Sequence, residues 1–135
     1  MTTASDKITV PTITNDGEGA SYFSTREIDL NGDAARQLSD QIAAVNFRLR
    51  RSVGYRAEAH VAGDPTLLIV LSGTMRIELP SGEHRDFSKG DMYIAEDYLP
   101  PNTAFENGKH GHSARTLGDE PYEALHLKLA RRDAS

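Results

Sequence analysis

From residue 46 onward the chain alternates short apolar runs with turn residues at close intervals, the pattern of many short β-strands. Residues 75–79 (MRIEL) alternate apolar and polar positions, as a strand with one buried face does. Residues 67–71 (LLIVL) are apolar throughout, which predicts a strand buried on both faces. Ser72-Gly73, Ser81-Gly82, Ser88-Lys89-Gly90-Asp91 and Asn107-Gly108 supply the turns. Further strands are expected over residues 92–96, 110–117 and 122–129. In the last, Leu125, Leu127 and Leu129 share one face, and His126 alternates with them, either outward or as a pocket wall.

Upstream, residues 22–30 read as a strand that ends at Asn31-Gly32. Residues 33–45 carry Ala34, Leu38 and Ile42 at four-residue steps behind an Asp33 cap, which predicts a short helix. Residues 1–20 show little periodicity and read as a flexible N-terminal arm or an edge strand. The domain proper is expected over residues 21–130, with a tail at 131–135. No repeat or low-complexity segment interrupts it. The sum is an all-β domain, a sandwich or a closed barrel.

Composition narrows the function. A chain of 135 residues supports one core. With 15 Lys and Arg against 20 Asp and Glu, a net charge of −5 and no basic run, nucleic acid and anionic membranes are poor partners. The absence of cysteine rules out disulfides and thiolate metal sites. No apolar run reaches the length of a membrane span, and the first 20 residues lack a signal-peptide core, so a soluble cytoplasmic protein is expected.

Gly54, His60 and Gly73 fall at the spacing of a motif made of Gly, five residues, His-x-His, three or four residues, Glu, six residues and Gly. On those residues the chain resembles the cupin superfamily of RmlC-like jelly rolls. Ala62 stands at the second His position and Thr66 at the Glu position. The second cupin motif opens with Gly90-Asp91, but Glu96, Tyr98 and Pro101 occupy its Pro, Gly and His positions. A small single-domain branch fits better, through His60-Val61-Ala62, Leu71-Ser72-Gly73, Gly90-Asp91, Glu96-Asp97 and Gly108-Lys109-His110-Gly111-His112. In that alignment residues 98–107 are an insertion before His112. The resemblance covers residues 22–129. It implies a jelly-roll barrel of two antiparallel sheets around a small-molecule cup, with an N-terminal strand and short helix outside it. It also implies a homodimer. In the family two His, a Glu and a later His bind a divalent metal; of the first three, only His60 carries over.

Three kinds of chemistry stand open. The first is a metal site of His60, His112 and His110 with a carboxylate from Glu96 or Glu58, a donor set suited to Fe, Mn, Ni or Zn. The second is a metal-free acid–base pair, His60 or His112 beside Glu96 or Asp97, for isomerisation, cyclisation or elimination. The third is ligand binding without turnover. Period-two alternation places Arg56, Glu58, His60, Ala62 and Thr66 on one face, and His110 with His112 on another. Tyr55, Arg56, Glu58, Thr66 and Phe105 are the candidate ligand contacts. Arg48, Arg50, Arg51 and Arg56 are candidates to fix an anion, at least two of them being expected on an outer face. The insertion, stiffened by Pro100-Pro101, reads as a lid carrying Leu99 or Phe105, or as a dimer contact. Against these readings, Glu96-Asp97 can be a solvated strand end, His110 an exposed turn residue, and Tyr55 and Tyr93 core aromatics.

Overall fold

The structure is a computed structural model and describes residues 6–131, so the expected tail lies outside it except for Arg131. The described strands are β1 (Lys7–Asn15), β2 (Ser21–Asp29), β3 (Asn31–Asp33), β4 (Arg36–Leu38), β5 (Ala44–Ser52), β6 (Arg56–His60), β7 (Thr66–Ser72), β8 (Thr74–Glu78), β9 (His84–Ser88), β10 (Met92–Ala95), β11 (His112–Leu117) and β12 (Tyr122–Leu129). They form a six-stranded sheet in the order β2-β1-β10-β7-β12-β5 and a four-stranded sheet in the order β6-β11-β8-β9. Neighbours run antiparallel save for β1 with β10, which are parallel. β1, within the segment read as an arm or edge strand, lies between β2 and β10. The all-β class and the strand positions follow the apolar alternation closely.

The two sheets close on a shared core because their strands present small and large apolar side chains inward. Ile13, Leu68, Val70, Tyr122 and Ala124 of the larger sheet meet Met75, Ile77, Phe87 and Ala114 of the smaller. Fully burying one such large side chain contributes roughly 1.5–3 kcal/mol, so this layer dominates the stability. The larger sheet is apolar on its other face as well. There Val10, Ile94 and Leu129 cluster with Ile28, Leu67, Met92 and Leu127. Residues 67–71 thus divide between two apolar surfaces, but the outer one is only partly covered, and Leu71 is 46% exposed.

The helix expected over residues 33–45 does not form. Asp33 Oδ1 accepts hydrogen bonds from the backbone N–H groups of Ala35 and Arg36, at 3.0 and 3.2 Å. The side chain that was to cap a helix closes the turn of the β3–β4 hairpin instead, a use of Asp that competes with helix. Leu38 and Ile42 are then spent on the outer face of the large sheet, lining an apolar cavity of about 490 Å³ with Ile8, Ile28 and Met92. No helix among the described residues is long and apolar enough to cross a membrane.

Candidate active site in the cup between the sheets

β6 and β11 are antiparallel neighbours, and their register sets His60 opposite His112. The two imidazole rings stand 4.7 Å apart, centroid to centroid, tilted by 55°. Both line a cavity of about 150 Å³ between the sheets, together with Tyr55, Ala62 and Thr66. Of the residues read as site candidates, His60, His112, Thr66 and Tyr55 are brought together here.

Asp97 completes the centre from behind. It follows β10, is fully buried, and its Oδ2 lies 2.8 Å from His112 Nδ1. Ser21 Oγ donates to the same oxygen at 2.7 Å, and the Ala62 backbone N–H donates to Oδ1 at 3.1 Å. Burial alone pushes the carboxyl pKa up, but the hydrogen bonds and charge of His112, with Ser21 and Ala62, outweigh it and hold Asp97 below the usual value. An ionised carboxylate accepts only, so His112 donates Nδ1–H to it, and in the neutral imidazole the lone pair is then on Nε2. His60 Nδ1 is 2.8 Å from the Glu58 carbonyl, which fixes the same tautomer and leaves its Nε2 free as well.

The remaining candidates are placed elsewhere, each for a local reason. Glu96 makes an ion pair with Arg26 at 3.1 Å, one residue out of phase with Asp97 and therefore on the other side of the strand end. His110 is buried but turned away from the pair: its Nδ1 accepts the Glu106 backbone N–H at 2.9 Å, and its Nε2 meets the Glu18 carbonyl at 3.2 Å. The alternation that would align it with His112 fails at Gly111, whose φ of +83° no strand adopts. Phe105 packs by His110, with ring centroids 6.1 Å apart, rather than over the cup. Arg56 and Glu58 line a groove with Arg76 and Arg115 on the outer face of the small sheet. A register shift between His112 and Ala114 is the cause. Ala114 pairs Ala57 while His112 pairs His60, so one extra residue on β6 rotates Arg56 and Glu58 away from the face of His60.

The arginines differ in their surroundings. Arg51 pairs with Glu123 at 2.6 Å and Arg56 faces outward. Arg48 and Arg50 lie opposite His126 and Ala124 of β12, on the inward side. Arg50 stacks on Tyr55, its guanidinium carbon 4.1 Å from the ring centroid, and also lines the cup, as do His126 and Tyr93. Burial lowers the His126 pKa, and the charges of Arg50 and Arg48 lower it further. Burial raises both Tyr93 and Tyr122. His126 is thus a pocket wall. Ser21 had no signal in the sequence, since only the fold brings it to Asp97.

The donor set does not fit the four-ligand metal site that the cupin resemblance implies. Ala62 and Thr66 line the cup where an imidazole and a carboxylate would be needed. His110 and Glu96 are engaged elsewhere, and Asp97 is held against His112 Nδ1. Among the described residues no group of three or more His, Cys, Asp or Glu side chains is placed to hold a metal ion.

No protein-family model and no curated protein matches the chain. Solved structures do. One is an RmlC-like cupin from Shewanella frigidimarina, at 12% identity over 91% of this chain and 87% of that one, with a TM-score of 0.40. Another is the Cupin 2 domain of an XRE family transcriptional regulator from Enterobacter cloacae, at 17% identity over 94% and 99%, with a TM-score of 0.35. The Cnp3 cupin domain of Schizosaccharomyces pombe aligns at 9% identity over 94% and 86%, with a TM-score of 0.39. What the chain is similar to in each of these solved structures is a cupin or a cupin domain.

Proposed function

We propose that the cup is a small-molecule site in which His112, oriented by Asp97 and flanked by His60, performs general acid–base chemistry. The observation that carries this reading is the 2.8 Å bond from His112 Nδ1 to a fully buried, ionised Asp97. That bond fixes the tautomer and stabilises the imidazolium formed when Nε2 takes a proton. His112 removes a proton from a bound organic molecule, and His112 or His60 returns one to another atom of it. Return to another carbon gives an isomerisation; attack of the deprotonated atom on an internal double bond, whose far carbon takes the proton, gives a cyclisation; delivery to a leaving group gives an elimination. A positioned acid–base group of this kind contributes typically about 10²–10⁴ in rate. The alternative is a cup that binds without turnover.

The test is hydrogen–deuterium exchange in D₂O, followed by NMR over a panel of small enolisable acids and ketones. Wild-type protein is expected to catalyse exchange in at least one, and His112→Gln to lose about a hundredfold or more of that rate. Equal rates in both proteins would remove the acid–base role. Ligand binding with no exchange across the panel would favour the non-catalytic cup. For metal, two imidazoles give weak retention, so less than about a tenth of an equivalent should survive dialysis. A full equivalent, lost in His60→Ala, would restore the metal-assisted reading.

The protein is further proposed to be a homodimer through the outer face of β5. Val45, Phe47 and Leu49 stand in a row there at 66%, 65% and 67% exposure, on an edge strand with a free backbone ladder. Light scattering at micromolar concentration is expected to give twice the chain mass, and Phe47→Glu to give the monomer. A monomeric wild type would end this proposal.

A further inference from the structure

We infer that the ligand of this cup is a small carboxylate, its carboxylate held by Arg50 and its remaining carbons facing His60 and His112. This rests on the cup being the binding site, and it names the class of molecule that the site takes.

The argument begins with charge. Arg26, Arg51, Arg76, Arg85 and Arg131 each have an Asp or Glu within salt-bridge distance. Among the described residues Arg36, Arg48, Arg50, Arg56 and Arg115 have none, and of these five Arg50 is the one that lines the cup. Arg50 is half-buried, and among the described residues the only hydrogen-bond partner of its guanidinium is Ser52 Oγ, which accepts from Nε at 2.8 Å. Its η nitrogens are left uncommitted in a fixed plane by the stack on Tyr55. Holding a guanidinium partly out of water with no counter-charge is unfavourable, and a bound carboxylate relieves it with paired hydrogen bonds.

The neighbours of Arg50 do not neutralise it. His126 is held uncharged by burial and by the two arginines, and the Tyr93 and Tyr122 phenols stay protonated. Among the described residues His126 Nε2 is buried without a hydrogen-bond partner, so polar capacity is left over at this end of the cup. The one buried carboxylate among the described residues, Asp97, already accepts from His112, Ser21 and Ala62. The cup is thus cationic beside Arg50 and charge-satisfied at Asp97. It also shares Arg50, Thr66 and His126 with an adjoining groove of about 570 Å³ lined by Arg48, which likewise has no salt-bridge partner among the described residues. A basic mouth of this kind steers anions inward.

Size sets the rest. A cavity of about 150 Å³ holds one six-membered ring or a chain of similar bulk, on the scale of cavities that admit benzene. Two ligands of equal shape therefore discriminate the proposal: benzoate, and its neutral isostere benzamide, titrated by ¹H–¹⁵N NMR. Benzoate is expected to perturb the cup residues and to bind at least about tenfold more tightly than benzamide, the scale of one charge-assisted bidentate contact. Arg50→Gln should erase that difference and Arg50→Lys should keep part of it. Arg76→Gln, which breaks the pair with Asp86 on the outer face of the small sheet, should leave it intact. Equal affinities in wild type, no binding of benzoate, or full benzoate affinity in Arg50→Gln would each overturn the inference. If Arg50→Gln does not fold, the wild-type comparison and Arg50→Lys still decide. Failure of the acid–base reading shows differently: His112→Gln then exchanges deuterium like wild type while benzoate selectivity is untouched.

Discussion

Asp97→Ala should lower the stability of the protein by about 3–5 kcal/mol, the cost of leaving several buried donors without an acceptor. The three donors sit on different parts of the fold: Ser21 opens β2, Ala62 follows β6, and His112 opens β11. One carboxylate therefore pins the small sheet to the large one at the end where the site lies. Asp97→Asn retains the bulk and one acceptor oxygen, so a smaller loss is expected, though the amide turns its own N–H₂ toward groups that already donate. The pH dependence follows from the sign of the shift. The folded pKa of Asp97 is depressed by His112, Ser21 and Ala62 acting against burial, relative to an unfolded value of about 3.9. Its stabilisation is then complete above the unfolded value and is lost as pH falls through the folded one. The difference between urea melts of wild type and Asp97→Asn at about pH 5 should shrink as pH falls below about 4. Melting of Asp97→Ala alongside wild type, or a gap that persists undiminished at low pH, would show that the carboxylate is not the anchor assigned here.

How far this site was legible in the sequence depends on how many residues had to be counted in phase. Strand identity survives small errors, which is why β7, β8, β10 and β12 fall where the apolar alternation places them. Side-chain facing does not survive them. One extra residue on β6 turned Arg56 and Glu58 to the outer face, and the positive φ of Gly111 turned His110 away from His112. Neither is visible in a period-two pattern, because a bulge and a left-handed glycine both break the period without changing the composition. Glu96 and Asp97 were inseparable as candidates for the same reason, and only the fold shows that Asp97 meets His112 while Glu96 meets Arg26. Arg50 and His126 could be set on a strand but not on a side until the pairing of β5 with β12 was known. The Asp33 turn reads as a helix cap in the sequence because the same side-chain acceptor serves both uses.

Gly111→Ala is expected to be nearly as damaging as loss of Asp97, and it tests the geometry of the pair rather than its chemistry. A Cβ built on Gly111 would lie 2.6 Å from the His60 carbonyl oxygen and 2.8 Å from its carbon. Those are backbone atoms of the facing strand, so the contact can be relieved only by parting β6 from β11. The φ of +83° adds a strain of about 1–2 kcal/mol for any residue with a side chain. Together these effects should cost about 3 kcal/mol or more, in the range reached when backbone overlap joins a special dihedral. The Gly111 N–H also donates to Ser21 Oγ at 2.9 Å, so its displacement disturbs the hydroxyl that supports Asp97. Gly63→Ala is the matching control: nothing lies within 4 Å of a Cβ there, and its cost should stay within about 0.5 kcal/mol. Where Gly111→Ala still folds, His60 and His112 should stand farther apart and any exchange activity should fall about a hundredfold, because positioned groups lose most of their effect over about an ångström. A Gly111→Ala protein that melts with wild type and keeps its activity would mean that β6 and β11 tolerate separation at this point. The shared cup would then be held by Asp97 alone, and the 4.7 Å approach of the two rings would have no part in the chemistry.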